Sequence, residues 1–194
     1  MQEQNTGTLN IIVAVYGLKT VTEQVKSLLN EGDPTTLSFI VSNRVIGEDG
    51  WHGQRKSITI IYNYNGGDLQ VATAKEGDVI SLSPDPGRAL KSTANENSAD
   101  NRGSSVLAAT YGPHDVTHKV KNLISSYNTL LFPVNNILLG DAWHGTEKTL
   151  VVVLGRDNKV SLVEVFRESE TCYIDLNKIA PVAPCKSEDK IPSN

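Results

Sequence analysis

The residues best equipped for chemistry lie in one short element that the chain carries twice. Asp49-Gly50-Trp51-His52-Gly53-Gln54-Arg55-Lys56 is echoed by Asp141-Ala142-Trp143-His144-Gly145-Thr146-Glu147-Lys148, and the two copies hold the only tryptophans of the protein. Trp offers a flat apolar face and one N–H donor. Asp adds acceptors, Lys donors, and His either role. An aromatic platform beside such groups suits a neutral sugar, stacked through its C–H face while Asp49/Asp141 and His52/His144 take its hydroxyls. The candidate ligand-binding set is thus Asp49, Trp51, His52 and Lys56 with Asp141, Trp143, His144 and Lys148. Two sites would raise avidity toward a glycan-bearing surface or glycoprotein. The same residues also support an architectural reading, in which Trp plugs a sandwich end, Gly permits the turn, Asp caps it and Lys pairs with an acid.

Other reactive patterns are thin. His114 and His118 lie four apart, a spacing that can put two imidazoles on one helical face for a metal. The other copy has Lys19 and Glu23 there, so they read as surface histidines. Asp49–His52 or Asp141–His144 could form an acid/base dyad in a cleft between the copies, but no activated nucleophile stands beside them. Nucleophile-elbow, zincin and phosphate-loop motifs are missing from the sequence. The expectation is no catalytic residue, no metal and no cofactor. Cys172 and Cys185 are too few for a disulfide framework and read as reduced thiols. Eighteen Lys+Arg against 22 Asp+Glu give a net charge of −4, which argues against nucleic acid as a partner. The polar segment Met1–Gly7 and the lack of any apolar run near ~18 residues point to a cytoplasmic protein without membrane insertion, with non-classical export left open.

What positions the loops is an internal duplication. Val13-Ala14-Val15-Tyr16-Gly17, followed by Val21-Thr22 and Val25, Leu28 and Leu29, recurs as Ala108-Ala109-Thr110-Tyr111-Gly112, Val116-Thr117, Val120, Leu123 and Ile124. The offset is 95 residues at Tyr16/Tyr111 and 92 at His52/His144, so the first copy is three residues longer between these landmarks, a difference assigned to Gly32-Asp33-Pro34. The repeats occupy residues 9–82 and 104–177, with a linker over 83–103 and an extended tail over 178–194.

Within each copy, β-branched runs predict strands at 11–16, 37–41, 57–64 and 79–82, and at 130–132, 149–154 and 172–176. Asn65-Gly66-Gly67-Asp68 and Arg156-Asp157-Asn158-Lys159 read as hairpin turns into partners at 69–72 and 160–165. The i, i+4, i+7, i+8 stripe from Val21 and from Val116 predicts one short helix per copy, capped in the second by Asp115 or Thr117. Asn43 and Asn135 read as aligned loop braces. The expected fold is mainly β: two tandem β-sandwich-like repeats, packed with pseudo-twofold symmetry because units this small are marginal alone.

The ordered set Ala-x-Tyr-Gly, Val-Thr with its helical spacing, and Asp-x-x-x-Gly-x-x-Lys before a hairpin resembles the C-terminal domain, of unknown function, of a class of DnaJ-type co-chaperones. The resemblance spans each repeat almost end to end and implies a β-rich fold without a settled activity. There is no J-domain signature, so co-chaperone activity is not implied, and Trp51-His52 and Trp143-His144 depart from that pattern. The expectation is a non-enzymatic, lectin-like protein. The alternatives are a protein-interaction or assembly module, which leaves homo-oligomer formation open, and a small Asp/His enzyme.

Overall fold

The computed structural model describes residues 7–29, 33–84, 104–156 and 159–179. In the first half β1 (Leu9–Tyr16), β2 (Lys19–Thr20), β4 (Ser57–Tyr64) and β5 (Gln70–Lys75) form an antiparallel sheet in the order β2-β1-β4-β5, while β3 (Leu37–Ile40) pairs with β6 (Val79–Leu82). In the second half β7 (Ser105–Tyr111), β8 (His114–Asp115), β10 (Thr149–Arg156) and β11 (Lys159–Arg167) are ordered β11-β10-β7-β8, and β9 (Thr129–Pro133) pairs with β12 (Thr171–Asp175). Four short α-helices, α1 (Thr22–Lys26), α2 (Asn43–Ile46), α3 (Thr117–Lys121) and α4 (Asn136–Leu139), and a 3-10 turn at Leu176–Lys178, where a strand end and an extended tail were expected, complete the described fold.

Three apolar clusters stack these sheets into four layers. One lies between the two sheets of the first half and includes Tyr16, Ile58, Ile60, Leu37 and Leu82. Its counterpart in the second half includes Tyr111, Leu150, Val152, Leu130 and Cys172. The third joins the outer faces of the large sheets, with Val13, Val15 and Ile61 from one half and Ala108, Val151 and Val153 from the other. Strands β4 and β10 are therefore buried on both faces, which is why their sequences run apolar almost continuously rather than alternating. A buried hydroxyl pair, Thr59 Oγ1 to Thr110 Oγ1 at 2.7 Å, crosses the same interface.

The register of β1 shifts between Ile11 and Val13, and that of β7 between Val106 and Ala108. The bulged residues, Ile12 and Leu107, are 95 apart, the offset of the Tyr-Gly landmark. In both halves the bulge lets the strand serve its own core on one side and the shared interface on the other. At the β4–β5 turn Asn65 and Gly66 both hold positive φ (53° and 71°), the geometry that an Asn-Gly hairpin needs.

Each half holds six strands and two short helices, against five strands and one helix expected. The additional strands, β2 and β8, are two residues long and make no apolar pattern. The additional helices, α2 and α4, are single turns begun by Ser42 and Asn135, whose side chains accept the Val45 and Leu138 amides. Ser42 thus corresponds to Asn135, and Asn43 to Asn136, correcting the alignment by one residue. Helices α1 and α3 stop at Lys26 and Lys121, and Leu28, Leu29, Leu123 and Ile124 reach the cores from the turns that follow. The N-cap of α3 is Val116, without a side-chain bond. Asp115 instead accepts the Thr117 amide, and the Thr117 hydroxyl accepts that of Ala109. Of the three extra residues in the first half, two precede β3 and the third is Glu48. Residues 85–103 of the linker, the tail from 180 with Cys185, and Gly32 lie outside the described residues.

Candidate functional site

Each Trp-His loop is built over a buried lysine. The Lys56 ammonium lies 3.1 Å from Asp49 Oδ1 and 3.4 Å from Glu76 Oε2, and donates to the Gln54 carbonyl at 3.0 Å. Lys148 repeats this with Asp141 Oδ1 at 3.1 Å, Glu168 Oε2 at 3.2 Å and the Thr146 carbonyl at 2.8 Å. The two ammoniums also lie 5.2 Å above the Tyr16 ring and 5.5 Å above the Tyr111 ring. A buried cation needs this saturation, because removing it from water costs several kcal/mol unless charges and lone pairs replace the solvent.

The Tyr-Gly landmark follows from the same lysine. Gly17 and Gly112 hold positive φ (61° and 54°), and a Cβ on either would stand 3.2 Å or 3.0 Å from the passing lysine stem. In the first half the Tyr16 hydroxyl donates to Glu76 Oε1 at 2.8 Å. In the second, Asn136 intervenes: Tyr111 donates to Asn136 Oδ1 at 3.0 Å, and Asn136 Nδ2 donates to Glu168 Oε1 at 2.8 Å. Burial first and the neighbouring carboxylates second push both phenols well above the usual tyrosine range.

Asp49 and Asp141 organise the loop above. One oxygen accepts the Trp51 or Trp143 amide at 3.1 or 3.2 Å, and the other faces the His52 or His144 Nδ1 at 3.3 or 3.1 Å. Desolvation raises the Asp49 carboxyl, but hydrogen bonds from Lys56, the Trp51 amide and His52 together hold it below the usual range. For Asp141 the Lys148 hydrogen bond is the leading influence, and it outweighs desolvation in the same direction of net lowering. The His52 and His144 side chains are fully exposed, at 100% and 99%.

The indoles face the opposite half. Arg167 lies over the Trp51 ring at 5.7 Å, while Lys75 and Arg55 lie over Trp143 at 5.3 and 5.2 Å. Arg167 and Lys75 are equivalent positions in the two copies, so this contact is reciprocal. Arg55 corresponds to Glu147, so among the described residues Trp51 meets one cation where Trp143 meets two. Trp143 is buried (8% exposed), and Trp51 is partly exposed.

The structure therefore gathers all eight candidate residues into two matching clusters with different roles inside each. Lys56 and Lys148 are spent on internal ion pairs, the tryptophans sit against the other half, and the histidine rings, each held to its Asp through Nδ1, are the exposed groups. Sequence reasoning missed Glu76 and Glu168, although they sit at the same 92-residue offset as the histidines. It also missed Arg55, Lys75 and Arg167, whose partners lie in the other copy. His114 and His118 are exposed, with His118 beside Asn122 at 3.3 Å. Among the described residues no group of three or more His, Cys, Asp or Glu could hold a metal ion, and no helix is long and apolar enough to cross a membrane. The chain matches no family model, no curated protein and no solved structure at a significant level.

Proposed function

We propose that this protein is a non-enzymatic protein-interaction module whose Trp-His loops clamp its two halves into one rigid unit. The observation that carries this reading is the crossed contact, in which each indole takes its cation from the opposite half. A sugar stacking on Trp143 would have to displace both Arg55 and Lys75, and the loop lysines have no donor left to offer it. The sugar-binding reading retains Trp51 and the exposed histidines, so the test is made against it.

Tryptophan emission of the intact protein is titrated with a panel of mono- and oligosaccharides, alongside a glycan array. The expected result is blue-shifted emission that no sugar moves, and an array without binding. Sugar-dependent emission, or array binding lost in the Trp51→Ala/Trp143→Ala variant, would overturn the proposal.

A further inference from the structure

Strand β11 ends its sheet, and β12 follows it across the turn at Glu168–Glu170 into the neighbouring sheet. Away from that turn the two strands bound a depression of about 360 Å³, lined by Ser161, Leu162, Glu164, Tyr173 and Ile179 and by Asp175 and Lys178, which pair with each other at 3.2 Å and so leave Glu164 as the uncompensated charge. Phe166 packs on the second core whereas Val163 and Val165 face the shared interface, so strand alternation turns Glu164 and Leu162 toward the core side, into the depression. Glu164 also acts on the Cys172 thiol, which burial and this carboxylate push up to about 12.

Three features of this depression are unexplained by folding. Glu164 is half-buried without an ion-pair partner among the described residues. The Ser161 hydroxyl is buried and makes no hydrogen bond. Leu162 and Tyr173 remain 37% and 58% exposed, and Tyr173 pairs in register with the exposed Leu131. The duplication supplies an internal control. The first half has Ala72 where Glu164 stands, Gln70 for Leu162, and Ser81 for Tyr173. The same scaffold thus closes with small or neutral side chains, and Ala72 there packs on the core.

We propose that the cleft between β11 and β12 binds an extended basic peptide segment of a partner protein, deepening the interaction-module reading on which it rests. The segment adds to the free edge of β11, whose outward backbone N–H and C=O groups are unpaired by the sheet. An Arg or Lys side chain answers Glu164, a polar group answers Ser161, and alternate apolar side chains cover Leu162, Tyr173 and Ile179. A cationic partner also suits a chain of net charge −4.

The test uses the full chain and a fluorescein-labelled, end-blocked peptide, Val-Arg-Val-Thr-Val-Arg-Val, followed by anisotropy. A control peptide replaces both Arg by Glu. The expected result is saturable binding of the basic peptide alone, weakened about tenfold or more by Glu164→Gln and by Tyr173→Ser. Both variants place first-half-like neutral chemistry in the cleft, and an unchanged thermal midpoint establishes that they fold. Absence of binding, or equal binding by the variants, would overturn the inference. So would nuclear Overhauser contacts from residues 180–194 to Leu162 and Tyr173 in the free chain, which would make the chain's own tail the occupant. Any of these failures leaves the sugar-insensitive tryptophan emission standing, so it removes the cleft and not the interaction module.

Discussion

The two Trp-His loops share a lysine, two carboxylates, a histidine and a tyrosine, yet they are docked differently. In the first, the Gly50 carbonyl accepts the Leu18 amide at 3.1 Å, and a Cβ on Gly50 would come within 1.7 Å of the Tyr16 oxygen. In the second, Ala142 takes the place of Gly50 in a loop one residue shorter, and Pro113 takes the place of Leu18. Proline has no N–H to give. Its carbonyl instead accepts the Thr73 hydroxyl from the first half at 2.7 Å. The second half thus makes a contact with its neighbour at Pro113 where the first makes one within itself, and Trp143 likewise meets two cations of the other half. Repeated loops need not stay alike in packing: Trp143 is buried where Trp51 is partly exposed.

That difference can be broken most severely at the indoles. Trp143→Ala is expected to cost about 3–5 kcal/mol, the range for a buried aromatic truncated to alanine, and Trp51→Ala roughly half as much because its ring is partly solvated already. Denaturant titration of the two variants checks the order, and equal losses would remove the asymmetry. Next in size is Lys148→Met. Breaking a buried ion pair costs about 3–5 kcal/mol, and here about 2–3 is expected because both carboxylates keep some water. The matching Lys56→Met change should fall close to it, since the two ion-pair clusters are alike.

Acidification probes the same clusters. Asp49 and Asp141 titrate below their unfolded value, so their stabilisation is full above the usual carboxylate range. It is lost as pH falls through the lowered folded values, below about 4. The thermal midpoint should therefore drop between pH 5 and pH 3, and the drop should shrink in the Asp49→Asn/Asp141→Asn variant. The smallest effect tests the cations. Arg55→Glu removes one cation from Trp143, and Glu147→Arg adds one beside Trp51, each worth about 0.5–1 kcal/mol with opposite sign. The emission of the affected indole should shift accordingly, while a shift of the same sign in both would deny that the positions are equivalent.

Much of this was legible in the residues. Repetition of Tyr-Gly, Val-Thr and Trp-His pointed to matching elements in the two halves, and the apolar runs at 57–64 and 149–154 located β4 and β10. Ser42 and Asn135 before short apolar turns ended by Gly47 and Gly140 carried a capping signal for α2 and α4, but four residues give periodicity too little to act on. Glu76 and Glu168 could have been found from the offset alone. The indole partners could not, because a cation–π contact between halves leaves no local spacing in the chain. Nor could the burial of Lys56 and Lys148, which depends on a tyrosine and a glutamate arriving from distant strands.

The middle layer has a consequence for how the chain comes apart. Among the described residues, Val13, Val15 and Ile61 are covered by Ala108, Val151, Val153 and their neighbours. Neither half can melt without stripping an apolar sheet face from the one that remains, so the two should unfold in a single calorimetric transition rather than in sequence. Each copy is thereby part of the surface that covers the other's outer sheet face.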